Sequence, residues 1–208
     1  GVEVSGAVAL LGARSTQLGS WRDSVVVQRL GIGRIGEYCV FATETGALDT
    51  VGAEFVRDVR PGEIITLDHG QFSSDERFCT EKTASCIFEH IYFARPDSII
   101  DGQSVNESRV LTGQLLAQQH PVDADLVIGV PDSGLSSAIG YSMESGIPFG
   151  LGLVKNRYIG RTFIQPSQSQ RELSVALKLN VLKSNVNGKR IIIVDDSIVR
   201  VPTISIIV

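Results

Sequence analysis

RIIIVDDSIVR, residues 190–200, is a short apolar run that stops on two adjacent carboxylates, Asp195 and Asp196. Its length and β-branched content, Ile191 to Val194, suit a strand buried on both faces better than a helix segment. Asn187-Gly188 supplies the turn that leads into it. Two upstream runs have the same character: ADLVIGV at 124–130, closed by Pro131, and PFGLGLV at 148–154. Between them a helix is expected to about Ser145, with Gly146 as its stop. Ser104 and Glu107 form a capping box ahead of another helix, on which Val105, Leu111 and Leu115 recur at helical spacing. Apolar strands alternating with helices predict a parallel α/β sheet.

The first eighty residues read differently. YCVFAT at 38–43 is a strand, a short helix is expected around Ala47–Val56, and Pro61-Gly62 is a turn feeding the strand EIITL. Asp68–Arg77 reads as a surface loop, and the domain boundary is placed there, giving domains 1–80 and 81–208. Residues 1–30 show no clean period.

Composition narrows the function classes. The chain has 208 residues, enough for one large or two modest domains. Hydrophobic residues at 43% and charged residues at 20% exclude a disordered chain, and no apolar run approaches the length of a membrane span. A net charge of −4 argues against a general nucleic-acid binder. The three cysteines, Cys39, Cys79 and Cys86, have neither disulfide-framework nor CxxC spacing, which points to a reducing, cytoplasmic setting. Neither end has a targeting layout.

Open parallel sheets bind ligands at the carboxyl ends of their strands. Asp195 and Asp196 stand at one such end, where a carboxylate pair can accept bonds from vicinal hydroxyls or hold Mg²⁺; capping a turn is the plainer role. Pro131-Asp132-Ser133-Gly134 follows the second strand, and Ser133 there suits a phosphate-facing helix N-terminus or an ordinary N-cap. Lys155–Arg171 carries four basic residues and no acid, with Gly160 and Pro166 marking a loop or flap. Such a segment suits a polyphosphate; a solvated basic loop is the alternative. Single-stranded RNA would find only Tyr158 and Phe163 for stacking.

Together these strings resemble a known family. IIIVDDSIVR is similar to the phosphoribosyl pyrophosphate (PRPP) motif of type I phosphoribosyltransferases. FEHIYFARPDS at 88–98, VPDSG at 130–134 and KNRYIGRTFIQPSQ at 155–168 resemble amidophosphoribosyltransferase, and 41–64 resembles the end of that family's glutaminase domain. The resemblance implies an incomplete type I phosphoribosyltransferase-like parallel sheet in 81–208, preceded by a strand-rich remnant of an N-terminal-nucleophile glutaminase domain in 1–80. It implies a glycosyltransferase of purine biosynthesis that makes 5-phosphoribosylamine from PRPP and glutamine-derived ammonia. Asp195 and Asp196 would bind the ribose hydroxyls and, with Ser133, Mg²⁺. Lys155, Tyr158 and Arg161 would act as catalytic flap residues, excluding water from the reacting centre. Asn156, Ser197, Arg200 and Thr203 would complete the substrate site. Cys86 would match one of four cysteines that ligate a [4Fe–4S] cluster in iron–sulfur members. Purine-nucleotide feedback and a homo-oligomer are further implications; nucleic acid and membranes are not expected partners.

The chain departs from that pattern in three places. It begins with Gly1 where the family has a nucleophilic cysteine, so glutamine hydrolysis is not expected of it. Val201-Pro202 replaces a glycine-led phosphate loop; Pro202 has no N–H to donate, and losing one charge-assisted bond weakens binding about ten- to a hundred-fold. The sequence also stops at Val208, before the family's sheet is complete. A fragment with impaired activity is therefore expected. A non-catalytic PRPP- or purine-nucleotide-binding module and a nucleobase salvage phosphoribosyltransferase are the alternatives.

Overall fold

A computed structural model of the chain describes residues 9–22, 29–79, 86–156 and 179–197. These form two compact units that divide between Val105 and Asn106.

The first unit is built from antiparallel strands. These are β1 (Ala9–Arg14), β2 (Gln17–Arg22), β3 (Gly31–Ile35), β4 (Tyr38–Ala42), β5 (Glu54–Asp58), β6 (Ile64–Asp68) and β7 (Gln71–Asp75), with helix α1 (Thr45–Thr50) between β4 and β5. One sheet runs β1-β2-β6-β7 and another β4-β3-β5. Leu30, Ile32, Val59 and Ile65 are buried together, with Ala9 and Phe41 packed on them. Pro61-Gly62 forms its turn: Gly62 has φ +80°, and a Cβ there would overlap the Phe78 carbonyl. A buried carboxylate, Glu63, follows immediately. Arg57 donates to both of its oxygens at 2.7 and 2.8 Å, Ser74 Oγ at 2.6 Å and the Arg60 N–H at 2.7 Å.

Two expectations for this unit are corrected. The helix ends at Thr50, and residues from Glu54 onward form β5 rather than continuing it to Val56. Gly52, at φ +71°, reverses the chain there, and Phe55 then pairs with Gly33 in the sheet. The expected loop Asp68–Arg77 is mostly a hairpin, with Gln71–Asp75 paired to Ile64–Asp68. His69 and Gly70, at φ +48° and +79°, form its two-residue turn.

Residues 86–105 belong to this unit by packing, beyond the boundary expected at residue 80. Glu44 accepts bonds from the Arg95 N–H and the Ser98 hydroxyl, and Thr45 Oγ1 accepts from the Ile99 N–H. Arg29 pairs with both Asp58 and Asp101 at 3.0 Å. This segment holds a π-helical turn (Glu89–Phe93) and the short pair β8 (Ile99–Ile100) and β9 (Gln103–Ser104).

The second unit contains α2 (Val105–Gln119) from its second residue onward, β10 (Leu126–Gly129), α3 (Gly134–Ser145), β11 (Leu153–Lys155), β12 (Leu179–Val181), α4 (Lys183–Val186) and β13 (Ile191–Val194). β10 and β13 pair in parallel, as their apolar runs predict. Val127 packs with Ala117, Ala138 and Tyr141 on one face. Leu126 and Ile128 pack with Leu153 on the other. Coverage on both faces explains why the run lacks polar alternation. Gly146 ends α3 in the left-handed region at φ +73°, its N–H bonded to the Ser142 carbonyl. Glycines also set the helix packing: a Cβ on Gly140 would overlap the Val110 carbonyl, and one on Gly113 the Ser137 carbonyl. Tyr141 closes the pair by donating to the His120 carbonyl at 2.8 Å.

PFGLGLV is not one strand. Phe149 makes a parallel bridge to Val127, extending the parallel layer, whereas Leu153–Lys155 pairs antiparallel with Leu179–Val181. The glycines divide it. A Cβ on Gly150 would lie 3.0 Å from a Leu126 methyl, and one on Gly152 2.5 Å from a methyl of Ile128. The chain therefore lies close against β10 before turning away.

Candidate active site

β10 and β13 end level with each other: the Val130 N–H donates to the Val194 carbonyl at 2.9 Å. α3 begins directly against these ends, because Gly129 and Gly134 carry no side chain. A Cβ on Gly129 would sit 2.8 Å from the Gly134 carbonyl, and one on Gly134 2.6 Å from the Val194 carbonyl. The loop Pro131-Asp132-Ser133 bridges strand and helix, with a cis Pro131–Asp132 peptide.

Ser133 occupies the N-cap position of α3 but makes no side-chain capping bond. Its hydroxyl donates instead to Oδ2 of Asp196. The ordinary N-cap reading of Ser133 is thereby corrected: its backbone is already helical, at φ −70° and ψ −37°, which turns the side chain toward β13. Ser197 donates to the other oxygen of Asp196 at 2.7 Å. The Asp196 N–H donates to Asp195 Oδ1 at 2.8 Å. Burial pushes the Asp195 carboxyl above its ordinary value; the bond from the Asp196 N–H opposes this, and the neighbouring Asp196 charge adds to it.

Lys155 ends β11, and its ammonium pairs with Asp132. Ser133, Lys155, Asp195, Asp196 and Ser197 are thus linked around two parallel strand ends and the end of β11. Asn156 follows Lys155 and is half-buried. Tyr158, Arg161, Arg200 and Thr203 lie outside the described residues. Cys86 is a free, half-buried thiol in the first unit. Asp132 was not singled out from the sequence. The available signal was an acid one step before Ser133, in a chain whose segment 155–171 carries only basic charges.

Among the described residues no three His, Cys, Asp or Glu side chains gather as a metal cluster. Two adjacent carboxylates and a hydroxyl nonetheless fit Mg²⁺, which takes hard oxygen donors and is commonly held by one or two carboxylates plus ligand phosphates. The half-buried Asp195 beside a second carboxylate is the kind of site that a cation would relieve. Among the described residues no helix is long and apolar enough to cross a membrane.

These residues stand at the carboxyl ends of parallel strands, the place where open α/β sheets bind their ligands. No family model matches the chain. It is 52% identical to an amidophosphoribosyltransferase of Mycobacterium tuberculosis over 197 residues, covering 95% of this chain and 37% of the relative. It is also 47% identical to the Bacillus subtilis amidophosphoribosyltransferase, covering 95% of this chain and 41% of that one. Among solved structures it superposes with a TM-score of 0.80 on the glutamine PRPP amidotransferase of B. subtilis complexed with ADP and GMP. That match has 46% identity and covers 91% of this chain and 42% of the other. The chain belongs to the amidophosphoribosyltransferase family and spans about 37–41% of these curated relatives. Its mixed α/β fold matches that of the solved PRPP amidotransferase.

Proposed function

We propose that the chain is part of an amidophosphoribosyltransferase, with its first part, 1–80 by sequence and reaching Val105 by packing, a glutaminase remnant and the remainder of 81–208 part of the phosphoribosyltransferase domain. The reaction joins ammonia to C1 of PRPP and releases pyrophosphate. The observation that carries this reading is the Ser133–Asp196 bond, which joins the two strand-end segments named from the sequence.

In this reading Asp195 and Asp196 accept bonds from the ribose hydroxyls. Asp196 is oriented for that by the hydroxyls of Ser133 and Ser197. Ser133, Asp195 and Asp196 would hold Mg²⁺, which supplies charge neutralisation to the departing pyrophosphate. Lys155, at the edge of the site, adds positive charge near the same leaving group. Tyr158 and Arg161 continue the basic flap that excludes water, and Asn156, Arg200 and Thr203 add substrate contacts. Cys86 is a candidate cluster ligand. The ADP and GMP in the B. subtilis structure support purine nucleotides as ligands here as well. A cytoplasmic homo-oligomer completes the proposal.

The reading is tested by incubating the chain with PRPP, Mg²⁺ and either ammonia or free nucleobases. Pyrophosphate release with ammonia alone supports it; release with a base would favour a salvage enzyme.

A further inference from the structure

We propose that Asp132 is a positioning residue that docks the Lys155 ammonium on the loop after β10 until an anionic ligand takes the ammonium from it. The inference rests on the PRPP reading of the site and adds a residue to it. Adjacent side chains of one loop reach two different elements. Asp132 holds Lys155 at the end of β11, and Ser133 holds Asp196 beyond the end of β13. The loop itself is pinned at both ends, through the Val130 N–H on Val194 and the Gly134 N–H on Val130 at 2.9 and 3.0 Å. The Lys155 ammonium is therefore tied to the same loop that holds Asp196.

The pair is built to be exchanged. Asp132 keeps 73% of its side chain in solvent and Lys155 37%, so the attraction between them is weak. A lysine ammonium is a point charge on a flexible stem and accepts a new anion without a fixed geometry. A phosphate oxygen arriving at the strand ends competes with one exposed carboxylate whose hold on the ammonium solvent already weakens. Asp132 then returns to water and needs no contact with the ligand.

The test measures acetylation of Lys155 by a dilute N-hydroxysuccinimide ester, read by peptide mass spectrometry. Wild type, Asp132→Asn and Asp132→Glu are compared with and without PRPP and Mg²⁺, each variant checked for an unchanged melting curve. The exposed position of Asp132 allows both replacements to fold. Without ligand, Asp132→Asn should label about two- to five-fold faster than wild type, and Asp132→Glu should restore the slow rate. PRPP with Mg²⁺ should slow labelling in all three. Equal labelling of wild type and Asp132→Asn without ligand overturns the docking role, whatever PRPP does. Faster labelling of Asp132→Asn with no protection by PRPP overturns the exchange and locates the failure in the PRPP reading.

Discussion

The Ser133 hydroxyl donates to the Asp196 carboxylate, joining the loop after β10 to the residues after β13. The bond runs to a charged acceptor and replaces the capping bond that a serine at this helix position ordinarily makes. Ser133→Ala should lower stability by about 1–2 kcal/mol in urea unfolding. It should also weaken Mg²⁺-dependent PRPP binding about ten-fold, with Ser133→Thr recovering most of both losses. An alanine variant with unchanged ligand affinity would mean that the orientation of Asp196 does not matter to the site.

Glu63 contributes to the acid sensitivity of the first unit. Burial alone would push its carboxyl up, but the bonds from Arg57, Ser74 and the Arg60 N–H hold it at about 2, against 4.5 for an ordinary glutamate. A depressed folded-state value gives stability that is complete above the unfolded value and is lost as pH falls from about 4.5 toward 2. The contribution at neutral pH is about 1–3 kcal/mol. Glu63→Gln should unfold at lower urea at pH 7 and show a flatter loss of stability across that acid window.

The glycines between α2 and α3 are expected to tolerate no side chain. Gly140→Ala sets a methyl against a backbone carbonyl, that of Val110, which cannot move without shifting its helix. A loss of about 1–3 kcal/mol in urea unfolding is the expected outcome. Gly150→Ala meets only a Leu126 methyl, 3.0 Å away, and should cost less because a leucine side chain can rotate.

Arg190 closes the opposite end of the parallel pair, bonded to Asp125 at 2.8 Å and to Asp123. All three side chains are exposed. Arg190→Met should therefore lower the melting temperature less than Gly140→Ala does, and high salt should erase the difference from wild type.

Sequence alone made β10, β13, the end of α3 and the acidic strand end legible, because each depends on local signals: unbroken β-branched runs, Gly146, and charges placed directly after a strand. It was less informative where one residue serves two roles. In PFGLGLV the glycines that allow close approach to β10 also break the strand. The His69-Gly70 turn lacks the Asn-Gly or Asp-Gly signature, so its hairpin read as a loop. Asp132 became visible only through Lys155, a partner 23 positions away.

The central claim is that Asp195 and Asp196 form a PRPP site. The most direct measurement is the ³¹P NMR spectrum of PRPP titrated with the chain in the presence and absence of Mg²⁺, a method that registers weak binding. The account predicts Mg²⁺-dependent broadening and shift of the pyrophosphate resonances with wild type, and none with Asp195→Asn/Asp196→Asn. Equal perturbation by wild type and the double variant would contradict it.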